Sequence, residues 1–249
     1  MVLIFNKGET WNTFYYHHVK HHHIEDNGIE DLSATIWYDR DNWLHFAAYF
    51  FRFYFFIALE LPIYFIKKGK LEWALKTFVG EVSTLVFYSS FFYVCDPRSV
   101  IFAWFVPLNM ARIGMMSGNW TQHAFLDPDH ATNDYKTALT VIDTYYNKTC
   151  FNDGYHTSHH LNPIRHWQDH PEHFLASREK FNEQKVIIFR NCDYWEIWCH
   201  LMVKDHVWLA KHLVSNDSDS VEAKVAFLKT RLKRLSPQQM KNSFAKKSL

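Results

Sequence analysis

Two histidine triplets with the same spacing mark where this sequence could do chemistry. Tyr16-His17-His18-Val19-Lys20-His21-His22-His23 contains His-x-x-His-His at His18, His21 and His22. Gly154-Tyr155-His156-Thr157-Ser158-His159-His160 repeats it at His156, His159 and His160. On an α-helix, positions i, i+3 and i+4 lie on one face, so each triplet aims three imidazoles at a common point. Neutral imidazole suits iron, zinc and copper. Six imidazoles exceed what one tetrahedral zinc uses and suit two metal ions. A single triplet arises by chance, and a histidine-rich run also serves as a tag or surface tract. Two copies flanking apolar segments point to a metal centre.

A third element is Asn119-Trp-Thr-Gln-His123, at the polar end of an apolar stretch. A lone histidine at a helix end is commonly a cap. Here its position at a membrane–water boundary, where the two triplets would converge, makes His123 a candidate ligand. Asn119, one helical turn earlier, is a candidate for holding a water or orienting a ligand. His166, His170 and His173 follow the last triplet, either shaping the site or a docking surface, or as polar loop residues. His17, His23 and His130 become ligands only in a different register. His45, His200, His206 and His212 read as structural.

The elements that must position these residues are apolar. Residues 44–66 form an apolar, aromatic stretch broken by His45, Arg52, Glu60 and Pro62, and followed by Lys67-Lys68-Gly69-Lys70. Further apolar stretches run over about 71–94 and 99–118, joined by a tight turn at Asp96-Pro97. A bilayer core needs about 20 mostly apolar residues as helix. If both triplets serve one centre they lie on one side of the membrane, so the number of crossings between them is even. The expectation is therefore a membrane hairpin of 71–94 and 99–118. Residues 44–66, with two charges in the middle, read as interfacial or re-entrant. The competing reading is three core helices of a soluble protein. Against it stands the aromatic content, 18% of the chain, which suits the membrane interface.

Composition narrows the class further. In 249 residues, Lys plus Arg number 27 and Asp plus Glu 26, a balance that gives no reason to expect a nucleic-acid partner. Only seven glycines and seven prolines disfavour a turn-rich β fold and favour long helices. The four cysteines, Cys95, Cys150, Cys192 and Cys199, form no Cys-x-x-Cys pair, so neither a zinc ribbon nor a disulfide framework is indicated. The opening Met1-Val-Leu-Ile-Phe is too short an apolar run for a signal peptide. The expected fold is all-α: integral membrane helices with a cytosolic helical cap carrying the histidine motifs, within residues 1–215. Residues 216–249 read as a basic amphipathic tail. Asp219 and Glu222 have capping-box spacing. Val221, Val225, Leu228, Leu232 and Leu235 share one helix face. Such a helix lies on anionic lipid or packs on the domain.

The two triplets in this order, with Asn119 and His123 between them, resemble the membrane fatty acid desaturase superfamily, which includes related lipid hydroxylases. The resemblance covers roughly residues 10–170. It implies a di-iron centre ligated by His18, His21, His22, His123, His156, His159 and His160, with Asn119 nearby. It also implies O2-dependent introduction of a double bond into a lipid acyl chain, or hydroxylation on the same scaffold. Electrons would come from cytochrome b5 or ferredoxin, since no haem motif or cysteine cluster is present. The expected setting is the endoplasmic reticulum membrane, with the metal site facing the cytosol. The family's first histidine motif, which follows an earlier membrane hairpin, would precede His18. The chain is thus expected to be truncated at its N terminus, and a fragment without activity is the third possibility.

Overall fold

The computed structural model describes residues 10, 12–214 and 220–244. The opening run Met1–Phe5 and the cap candidate Asp219 lie outside the described residues. The protein is all-α, as expected, with two three-residue strands among the described residues. It divides into two compact units, Met1–Ile24 with Ala48–Met116, and Glu25–Ala47 with Ser117–Leu249.

The first unit is built on long helices. A π-helix, α1 (Tyr15–His22), is followed by α2 (Trp43–Lys67) and α3 (Leu71–Val94). A fourth helix, α4 (Pro97–Gln122), includes a π-helical turn at Ile101–Phe105. Helix α2 buries Tyr49, Phe53, Ile57, Leu61 and Phe65, one stripe at four-residue steps. Its other faces expose Phe51, Phe55, Phe56, Leu59, Ile63 and Ile66. A helix so apolar, with one stripe covered by protein and large apolar side chains exposed on its other faces, fits lipid rather than water. Among the described residues, α2 and α4 are the two helices long and apolar enough to cross a membrane. Helix α3 carries Glu72, Lys76 and Glu81 and is not among them. Its buried positions are small: Ala74, Thr77, Gly80 and Thr84.

The charges of α2 answer one another. Arg52 donates to Glu60 at 3.1 Å, so the two charges that argued for an interfacial placement form a pair. Tyr54 donates to the Asn109 side chain at 2.6 Å, and the Arg112 guanidinium lies over the Tyr54 ring. Gly69 closes α2 at φ +70°, a left-handed conformation that only glycine adopts without strain. Asp96 caps the start of α4, accepting from the Ser99 amide and hydroxyl, with Pro97 at the first helical position.

The second unit has smaller parts. Strand β1 (Thr140–Ile142) pairs in parallel with β2 (Ile188–Arg190), Val141 opposite Phe189. Around them stand α5 (His156–Leu161), α6 (His170–Ala176), α7 (Arg178–Glu183), α8 (Tyr194–Met202), α9 (His206–His212), α10 (Val221–Arg231) and α11 (Pro237–Phe244). Ser220 caps α10, accepting from the Ala223 amide. Leu228 and Leu232 are fully buried in the core shared with Val141, Phe189, Ile197 and Leu209. Leu235 packs with Ala34, Ile36 and Leu126. Residues 221–235 of the basic segment thus contribute to the same core as the last histidine triplet's unit.

Arg40 fixes this unit's centre. Its side chain is fully buried and donates to five backbone carbonyls, those of Ala124, Thr35, Tyr38, Arg231 and Lys233. The Arg40 carbonyl accepts from the Trp120 indole. One guanidinium therefore ties together the end of α4, the loop after α1 and the residues after α10.

Candidate metal centre

In the second unit the two last histidine elements converge. The His123 ring lies 4.8 Å from that of His160 and 5.3 Å from that of His156, centroid to centroid. His156 and His160, one turn apart on α5, bring their Nε2 atoms to 3.0 Å. All three side chains are buried. Two nitrogens bound to one metal at about 2.1 Å stand about 3 Å apart as cis neighbours, so the His156–His160 pair fits a metal ion, and His123 offers a nitrogen within 4.8 Å of one on His160.

Two of the three rings are held from behind. His160 Nδ1 lies 3.0 Å from the Asp26 carboxylate, and His123 Nδ1 lies 2.9 Å from the Thr137 carbonyl. A proton on Nδ1 shared with such an acceptor sets the tautomer and turns Nε2 toward a ligand site, a common arrangement around metal-binding histidines. Asp26, also within 3.5 Å of the Thr137 hydroxyl, adopts a left-handed backbone at φ 48°. The next loop residues are locked by their own side chains. Asn27 Oδ1 accepts from the Thr35 amide at 2.7 Å, and Asp31 accepts from the amides of Asn27 and Ser33.

The start of α5 has no spare room. The Gly154 amide donates to Asn147 Oδ1 at 3.0 Å, and its carbonyl accepts from the Val141 amide and the Tyr194 hydroxyl. A Cβ at Gly154 would sit 2.1 Å from Asn147 Oδ1 and 2.5 Å from Val141 Cγ2. Glycine is required because backbone and side chain approach so closely. Two residues later the chain turns into His156.

His159 points elsewhere. Its ring lies 5.7 Å from that of His156 and 5.9 Å from that of His170. Beneath it, the buried Ser158 hydroxyl meets His170 Nδ1 at 2.9 Å and His173 Nδ1 at 2.8 Å, and accepts from Arg165 at 2.8 Å. A hydroxyl has one proton and two lone pairs. With Arg165 on one lone pair, one histidine donates to the hydroxyl and the other accepts from it, so the two are opposite tautomers. Burial, then Arg165, pushes His170 down to about 4, and the same causes lower His173. Both are neutral near pH 7. Asn119 donates to the Ser33 carbonyl at 3.1 Å, holding the loop between Asp31 and Thr35.

In the first unit the other triplet lies on α1, and its helix is not the α-helix its spacing suggested. The His23 amide reaches the His18 carbonyl, an i→i+5 ladder of π type. The wider turn changes which rings meet. His18 stacks near His22 at 5.7 Å and brings its Nε2 to 3.2 Å from that of His23. His17 lies 5.7 Å from His21 and 6.3 Å from His22. His21 and His22 are buried, His18 partly so. Five histidines rather than three thus lie in mutual contact. His17 and His23, which the sequence admitted only in a different register, are the additions. Aromatic rings wall this set, with Phe53 against His17, Tyr64 against His21, and Tyr16 against Phe65 and Trp73.

Asp26, Thr137 and Ser158 were not singled out from the sequence. Ser158, inside the triplet, was the one with a positional signal; Asp26 and Thr137 are remote in sequence from the rings they hold.

The sequence profile of the Fatty acid desaturase family matches residues 2–191. No curated protein and no solved structure matches the chain. The matched span takes in both triplets, Asn119 and His123, and covers about three quarters of the sequence. With buried histidine groups suited to metal and two helices of membrane-spanning composition, the chain belongs to the fatty acid desaturase family.

Proposed function

We propose that the protein is a membrane-bound di-iron oxidoreductase that introduces a double bond into a lipid acyl chain. The observation that carries this is the buried His123, His156 and His160 group, with His160 and His123 held at Nδ1 by Asp26 and the Thr137 carbonyl. In this reading His18, His21, His22 and His159 complete the ligands, as the family motifs imply, and Asn119 stands beside them. The Ser158, His170 and His173 network sets the orientation of His159.

Bound iron would supply oxygen activation strong enough to take hydrogen from an unactivated C–H bond. The protein's part is to hold and orient. Asp26 and Thr137 fix which nitrogen each imidazole offers, and the apolar helices give the acyl chain a dry path. Removing two hydrogens while O2 becomes two waters consumes two further electrons and two protons. The scattered cysteines, all free thiols, provide no redox relay, so electrons come from an external donor such as cytochrome b5 or ferredoxin. We place the protein in the endoplasmic reticulum membrane with its histidines toward the cytosol.

The test has two readings on the full chain purified in detergent. Close to two irons per chain is the expected content; one or none overturns the di-iron reading and favours a non-catalytic protein. With a reductase and donor added, an acyl product short of two hydrogens is expected. A product carrying an added hydroxyl instead would assign the protein to the hydroxylases of the same scaffold.

A further inference from the structure

Beyond residue 191, where the family match ends, α8 has two apolar faces. Tyr194, Ile197 and Leu201 are buried in the second unit's core. On the other side Trp195, 51% exposed, stacks on Trp198 at 4.9 Å, with Met202 one turn on. The apolar surface continues past the helix end at Val203, 73% exposed, and Val207, 49% exposed. A monomer surface seldom leaves a tryptophan and two valines uncovered together.

Two points of this segment are pinned to the start of α2, within the same unit. Trp198 packs edge-on against Phe46 at 5.0 Å, and His206 Nε2 meets the Asp41 carboxylate at 3.1 Å. That start is itself apolar and open, with Trp43 61% and Leu44 62% exposed. From there α2 runs on as a helix of membrane-spanning length and composition. Tryptophan favours the level where headgroups meet acyl chains. Exposed Lys204 follows Val203, and exposed Lys211 stands one turn beyond Val207.

We propose that α8 and the residues to Val207 form an interfacial membrane contact. Trp195, Trp198, Met202 and Val203 sit in the headgroup–acyl boundary of the leaflet that α2 enters at Trp43. The partner is the phospholipid bilayer, and the contact seats the unit carrying His123 and the last triplet on the membrane surface. It stands independently of iron chemistry.

Photo-cross-linking tests this on the full chain in phospholipid vesicles containing an alkyne-tagged phosphatidylcholine. A benzophenone amino acid replaces Trp195, Val203, Phe55 or Glu222, one at a time; all four side chains are exposed, so folding is spared. Lipid adducts are expected at 195 and 203 as at 55, and none at 222. Absence of lipid at 195 or 203 overturns the proposal, as do adducts there with a second protein copy instead of lipid. Equal lipid labelling at 222 overturns it as unspecific. No lipid at 55 removes α2 from the bilayer and the proposal with it.

Discussion

The two His-x-x-His-His triplets share a spacing and nothing else. On α5 an ordinary helix brings His156 and His160 together, and hydrogen bonds from behind orient the converging rings. On α1 the π ladder regroups the histidines, bringing His18 to His23 and His17 to His21, and aromatic rings press on them. A motif states which residues are present. The backbone ladder and the groups behind each ring decide which nitrogens meet.

The sharpest way to break this comparison is Arg40→Met. Five buried carbonyls in the second unit would lose a charged donor, at a cost well above about 4 kcal/mol when bonds of this kind contribute about 1.5–3 kcal/mol each. Loss of the cooperative thermal transition is expected, and iron content should fall toward zero. Retention of half the iron would show that the α1 set holds metal alone. Gly154→Ala forces Asn147 aside at the start of α5, and about 3 kcal/mol of stability should go with it, read as a drop in Tm.

Changes that spare the fold sharpen the contrast. His23→Gln should leave metal affinity nearly unchanged by chelator competition, since the seven motif histidines hold the metal; a loss of about 100-fold would make His23 a ligand and the π ladder the feature that chooses it. Asp26→Asn removes the carboxylate behind His160, and affinity should fall about tenfold with Tm nearly unchanged.

The smallest effect concerns Asp127. Burial alone would raise its pKa, but Arg231 at 3.0 Å, the Asp129 amide and Lys136 at 3.3 Å outweigh burial and lower it. A lowered carboxyl contributes stability that is present above its unfolded pKa of 3.8 and is lost as pH falls through the lower folded value. Arg231→Met should remove about 1 kcal/mol at pH 7 and flatten the acid limb of a urea-unfolding series. An unchanged slope below pH 4 would exclude the pair.

Much of this was legible in the sequence. The helical class and the long apolar helices follow from periodicity, and spacing marked the seven motif histidines as candidates; that α2 rather than α3 has membrane-spanning composition was not read from it. The regrouping on α1 was not, because no residue in Tyr15–His22 announces an i→i+5 ladder. Asp26 and Thr137 were hidden for another reason: each is remote in sequence from the histidine it orients. Arg52 and Glu60 were visible as charges within an apolar run, but their pairing with each other at 3.1 Å required coordinates. Asp39-Arg40-Asp41 read as a polar punctuation mark, whereas Arg40 is the best-satisfied buried cation described.

That arginine also orders events in time. Two of its five acceptors belong to Arg231 and Lys233, and its neighbours near His123 wait for them. A ribosome releases those residues long after it has made both triplets. The unit that orients His123 and His160 is therefore completed only when nearly all of this sequence has emerged.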